Sequence, residues 1–309
     1  MNIPLLISYS HIIELFSGGD MSLAWLLSIW LTVMIVTALI CFIVGELTRN
    51  YSQVDKIWSI MPIVYSFITL INFPSKMERI MLMTVLVSLW GSRLTFNFYR
   101  KGGYNIVPWK GDEDYRWSVL RQNPILKKGV RFSLFNLFFI SFYQQFLIML
   151  FSTPLLLAAK YTTVSMNELD FVAALLMSLF ILIETIADNQ LHYFHREKKK
   201  EVPESGRFPK SLAKGFLQEG LWQYVRHPNF ISEQLIWVSF YLFGVAASGS
   251  WINWTLAGPV LLVLLFAASS DFTESISMQK YPEYAEYKEN VPRFIPMNFK
   301  AKQEEELNA

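Results

Sequence analysis

Seven long apolar stretches, each poor in charge, recur along the chain at 21–44, about 57–73, 78–98, 132–159, 170–191, 230–248 and 251–270. The first, MSLAWLLSIWLTVMIVTALICFIV, has no charged residue and as a helix is long enough to cross a hydrocarbon core of roughly 30 Å. The pattern predicts an all-α, polytopic integral membrane protein with seven transmembrane helices. Polar sequence concentrates in three connections, 99–131, 192–229 and 271–309, which are long enough to build a site. The other connections are short, and no internal repeat is visible.

Composition points the same way. Of 309 residues, 53% are hydrophobic and 17% charged, with a mean hydropathy of +0.30; soluble domains carry about 25% charged residues. A soluble α/β cofactor domain is excluded, and no G-x-G-x-x-G run occurs. The net charge of +2 implies no nucleic-acid partner. Cys41, the only cysteine, lies in the first apolar stretch and permits no internal disulfide. The first basic residue, Arg49, follows that stretch, so a cleavable leader is not expected.

With seven crossings, the lysines and arginines separate by side. Only Lys76, Arg79 and Lys160 fall in one set of alternate loops, and Arg93 lies within a stretch; the others share the opposite side. The excess of basic residues in cytoplasmic loops then places the N-terminus outside and the C-terminus in the cytoplasm. The expected location is the inner membrane of a bacterium or the endoplasmic reticulum of a eukaryote. The basic clusters Lys127, Lys128, Arg131 and 198–200 are accounted for equally by attraction to anionic lipid.

Ionisable groups inside apolar spans are costly and mark functional candidates. In ILIETIADNQLHYFHRE, Glu184, Asp188, His192 and His195 recur at i, i+4, i+8 and i+11, along one helix face, flanked by Asn189 and Gln190. A polar pocket and a buried network pinning helix packing both explain that stripe. The four histidines are too few for a di-iron site. A single metal ion held by Glu184, Asp188, His192 and His227 stays open, and no metal is assigned. In GLWQYVRHPNFISEQLIW, Pro228 starts a helix, placing Arg226, His227 and Asn229 at its N-terminus and Glu233 one turn in. Glu274 follows at the end of the last stretch, with Tyr281, Tyr284 and Tyr287 beyond it. Asp55 and Trp58 enter the second stretch, and Tyr143, Gln144 and Gln145 interrupt the fourth.

These residues resemble the steroid 5α-reductase superfamily, and most closely a bacterial-type branch catalogued as a domain of unknown function. The resemblance rests on E-x3-D-x-Q (Glu184 to Gln190), on G-L-W-x-Y-x-R-H-P-N-F-x-S-E (Gly220 to Glu233), and on E-x6-Y-P-x-Y-x-x-Y (Glu274 to Tyr287) with F-I-P. Upstream, V-D-x-x-W (Val54 to Trp58), W-G-x-R-L (Trp90 to Leu94) and E-D-Y-R-W (Glu113 to Trp117) extend it over nearly the whole chain. It implies a membrane reductase that takes NADPH among its last helices and passes hydride to an enone-like double bond of a lipid. Residues 1–131 would form the substrate side, 132–298 the cofactor side and 299–309 a solvated tail. The cofactor-binding set it implies is Glu184, Asp188, Gln190, His192, His195, Arg196, Tyr224, Arg226, His227, Asn229, Glu233, Glu274 and Tyr284. Asp55, Tyr143 and Gln144 are the catalytic candidates.

The chain departs from the family pattern where Phe266 and Ser270 replace an arginine and a histidine, removing two groups suited to phosphate. Arg226, His227, Arg196 and the lysines after it are the expected replacements. An alternative keeps the R-H-P turn but binds S-adenosylmethionine, as a lipid or isoprenylcysteine-type methyltransferase; a further one is a non-catalytic lipid-binding protein. The expected partners are a hydrophobic small molecule and the bilayer; the sequence names no protein partner.

Overall fold

The computed structural model describes residues 21–73, 78–107, 109–127, 129–200 and 206–296; His11, Lys76, Lys128 and the 299–309 tail lie outside them. Among the described residues every regular element is helical. Among the described residues, seven helices are long and apolar enough to cross a bilayer: span one Ser22–Thr48, span two Gln53–Asn72, span three Glu78–Arg100, span four Gly129–Ser152, span five Glu168–Lys198, span six Pro228–Ser248 and span seven Trp254–Lys280.

The boundaries move for local reasons. Span two is interrupted between Gln53–Trp58 and Met61–Asn72, with Pro62 opening the second piece. Span four stops at Ser152, although the apolar run continues to 159, because Pro154 has no N–H to continue the ladder and starts a separate helix, Pro154–Lys160. Spans five and seven run on to Lys198 and Lys280, since their polar ends contain no helix breaker. The middle of span four, Asn136–Tyr143, is π-helical, a rare form in which one extra residue per turn re-aims the side chains that follow.

The chain divides into two compact units. The first runs to Ala174 and includes Ser239–Leu261; the second comprises Leu175–Val238 and the residues from Leu262. At one end of the first unit, Arg79 grips Asp170 through two parallel bonds of 2.7 and 2.8 Å and also donates to the carbonyls of Val164 and Ser165. Removing either partner would leave a buried charge uncompensated. At the other end, the 101–127 connection folds onto the start of span two. Asn50 donates to Gly111 O, Gln53 to Trp109 O and Lys56 to Lys110 O, while Glu113 accepts from Tyr51 N–H. The second unit packs Phe194, Leu217 and Trp222 in one apolar cluster and Phe216, Tyr284 and Tyr287 in another.

Candidate functional site

The second unit gathers most of the motif residues. Pro228 opens span six, and just before it the chain is held by the 291–294 segment: Arg226 N–H donates to Pro292 O (2.9 Å) and His227 N–H to Arg293 O (3.2 Å). Glu274, with 0% exposure, is the centre of the cluster. Its carboxylate takes Arg226 Nε at 2.8 Å and Arg226 Nη2 at 3.3 Å, with His227 Nε2 at 2.9 Å and Lys288 Nζ at 3.3 Å. Arg226 Nη1 donates to the carbonyls of Lys288 and Val291, closing the C-terminal end of the helix Tyr284–Asn290. Arg226, His227 and Glu274 thus form a clamp that ties the R-H-P turn to span seven and to the segment after it.

A second group lies along span five. Asn229 Nδ2 donates to Asp188 Oδ1 at 3.3 Å, joining the start of span six to the stripe. Gln190 Oε1 accepts from Leu221 N–H at 2.9 Å. Gly220 sits at φ +69° directly against Gln190, where a Cβ would come within 2.6 Å of the amide, so that turn requires glycine. Glu184 and Glu233 are both buried, and Glu233 Oε1 accepts from Trp237 Nε1 at 3.0 Å. His192 is half-buried, while His195, Arg196 and Lys199 are exposed beyond it. Tyr224 is exposed, whereas Tyr284 is buried edge-on against Phe216 and Tyr287. Tyr287 donates to Trp222 O, and burial pushes its phenol upward.

The catalytic candidates belong to the first unit. Asp55 Oδ2 accepts from Trp117 Nε1 at 2.9 Å, which ties span two to the helix Tyr115–Gln122. Tyr143 closes a ladder of stacked rings, Phe135, Phe139 and Tyr143, along the π-helical turn. Gln144 is buried beside it. The segment Gln53–Trp58 packs against Gln144–Ser152, but among the described residues no hydrogen bond joins Asp55 to Tyr143 or Gln144.

One participant has no sequence signal of its own. Lys288 completes the Glu274 clamp from a helix that reads as polar surface. Gln145 Oε1 lies 3.3 Å from Thr37 Oγ1, while its Nε2, the indole nitrogen of Trp30 and the hydroxyl of Tyr65 are buried with no hydrogen-bond partner among the described residues. The Trp30 and Tyr65 rings are 4.6 Å apart. Among the described residues no three His, Cys, Asp or Glu side chains gather closely enough to hold a metal ion.

Residues 41–291 match a family model described as "Protein of unknown function (DUF1295)". Over 279 residues the chain is 38% identical to "Uncharacterized protein C594.04c" of Schizosaccharomyces pombe, an alignment covering 85% of this chain and 79% of that one. No solved structure matches. With the family model spanning most of its length, the chain belongs to the DUF1295 family.

Proposed function

We propose that this membrane protein is an NADPH-dependent reductase of the steroid 5α-reductase superfamily, acting on an enone-like carbon–carbon double bond of a lipid. One observation carries the reading: the Asp188–Asn229 bond joins the span-five stripe to the N-terminus of span six, with buried Glu184 and Glu233 on the same two helices. Buried carboxylates on membrane helices are costly, which favours a retained polar ligand.

The residues present fit a dinucleotide. Carboxylates and amides suit ribose hydroxyls and a carboxamide, and at helical spacing His192, His195 and Lys199 continue the Glu184–Asp188 face toward the exposed end of span five. Arg226 is engaged by Glu274 and two carbonyls, so its part in this reading is to hold the turn that presents Asn229. When bound, the dinucleotide would supply a hydride to the double bond. Within the first unit, Asp55 is held by Trp117, and Asp55, Tyr143 and Gln144 stay the catalytic candidates of this reading.

The test is nucleotide retention. The protein purified in mild detergent is analysed by mass spectrometry for bound nucleotide, then titrated with NADPH, NADH and S-adenosylmethionine. The expected result is NADPH binding in the wild type and its loss in Asn229→Ala while that variant still folds and elutes as the wild type does in detergent. S-adenosylmethionine binding instead would replace the reductase with a methyltransferase, and binding of neither would leave a non-catalytic lipid-binding protein.

A further inference from the structure

Spans two and three approach closely at Gly91, where a Cβ would come within 2.5 Å of the Ser59 carbonyl. Along the same pair runs a groove made of two cavities of about 480 and 450 Å³ that meet at Ser92. Each is of the size that small-molecule pockets have. The walls are apolar, and Phe67, Val85, Leu89 and Phe96 among them are exposed, so the groove lies on the surface that faces lipid. Asp55, Tyr143 and Gln144 are not among the described residues that line it.

Hydroxyls gather at one end. After Arg100 the chain turns at Gly102 (φ +87°), Gly103 N–H donates to Phe98 O at 3.1 Å, and the Tyr104 ring packs edge-on against Phe98 at 5.3 Å. That turn brings the Tyr104 phenol back to the groove, where it donates to Lys56 O. Ser59 Oγ and Thr95 Oγ1 are 2.7 Å apart, and both hydroxyls lie within bonding reach of the phenol oxygen. One of their two protons lies between them and the other is placed for the phenol. The donors are thus used within the cluster, while the Thr95 oxygen, on the groove wall, keeps a lone pair that can accept. Ser92 is exposed one turn before Thr95, and its hydroxyl has no hydrogen-bond partner among the described residues. Side chains at i and i+3 are neighbours on a helix, so one ligand hydroxyl can donate to Thr95 and accept from Ser92. Farther along, the Thr84 and Ser88 hydroxyls are each satisfied at 2.7 Å by carbonyls of their own helix, which leaves that half of the groove apolar in effect.

We propose that this groove binds a long-chain lipid alcohol, its hydroxyl between Ser92 and Thr95 and its chain along Leu89, Val85 and Met81. No charged side chain is among the described residues that line the groove, which suits a neutral head rather than a phosphate. From Ser92 to Met81 the rise is about 16 Å, half of a hydrocarbon core of roughly 30 Å and the depth that a chain from one leaflet reaches. The site does not depend on the reductase reading.

Photolabelling of the full chain in mild detergent tests it, with hexadecanol carrying a diazirine at its far end and with the matching hexadecyl methyl ether. Labelled residues are read by peptide mass spectrometry. The expected result is saturable labelling by the alcohol at Leu70, Met81 and Val85, half-saturating at a concentration about fivefold below that of the ether, which cannot donate. Ser92→Ala and Thr95→Val should each remove most of that difference and leave labelling by the ether as it was. Because Ser92 is exposed, Ser92→Ala should keep its melting temperature, and it decides alone if Thr95→Val does not fold. Equal labelling by alcohol and ether in the wild type would mean that bilayer lipid of any kind covers the groove, and overturns the proposal. So does labelling by the alcohol that Ser92→Ala leaves unchanged, or that maps outside spans two and three.

Discussion

Arg226 has five N–H donors, and four of the hydrogen bonds it makes go to Glu274 and to the carbonyls of Lys288 and Val291. Removing that side chain leaves a fully buried carboxylate with His227 and Lys288 only, and frees two carbonyls at a helix end. Arg226→Ala should therefore destabilise the protein by about 3–5 kcal/mol, read as a fall in melting temperature in detergent. Glu274→Gln should cost less, because an amide oxygen can still accept from the guanidinium. Equal melting temperatures for wild type and Arg226→Ala would remove the clamp from the account. The sequence placed Arg226, His227 and Asn229 together at a helix N-terminus, because Pro228 marks where that helix starts. It could not show that Arg226 is already engaged, since Glu274 lies 48 positions away and nothing local connects the two. The same distance in sequence hides Trp117 from Asp55, which are 62 positions apart.

At the scale of elements, the helix Tyr115–Gln122 shows how a polar connection is fixed to a membrane span. Asp114 caps it, accepting from Arg116 N–H at 2.9 Å and pairing with the Arg116 guanidinium at 2.8 Å. Burial works against the Asp114 carboxylate, but the Arg116 charge and hydrogen bonds outweigh it and hold the group below its ordinary range. A carboxyl depressed in the fold stabilises it above the unfolded pKa of about 3.9 and loses that contribution as pH falls through the lower folded value. The cap should consequently loosen below about pH 4. Melting temperature followed against pH should fall on the acid side in wild type and fall less steeply in Asp114→Asn, which at neutral pH still caps the helix. Identical acid limbs would place the sensitivity in other carboxylates. Among the spans, apolar runs marked where helices exist, but the breaks before Pro62 and Pro154 lie inside runs read as continuous. The π-helical turn left no trace in the pattern; at its start Asn136 donates to Glu46 of span one at 2.9 Å and accepts from Ser141 at 3.2 Å, contacts that no local sequence pattern encodes.

For the whole molecule, seven apolar runs were legible because a bilayer demands unbroken stretches of a set length. The grouping into two compact units was not, since Ser239–Leu261 joins the first unit through packing that no local pattern encodes. Orientation rests on the distribution of basic residues alone, and the chain offers a clean way to measure it. Its only cysteine, Cys41, is buried inside span one, so a background label is not expected there. Trp251 is exposed in the connection between spans six and seven, and Lys210 is exposed in the basic connection between spans five and six. With the basic loops cytoplasmic, a membrane-impermeant maleimide added to intact cells, or to the lumen of opened vesicles, should label Trp251→Cys and leave Lys210→Cys unlabelled until the cytoplasmic face is exposed. The reverse pattern would invert the molecule and place the Asp188–Asn229 group on the far side from cytosolic NADPH. Labelling of both positions from one side would mean that one of the seven helices does not cross the membrane.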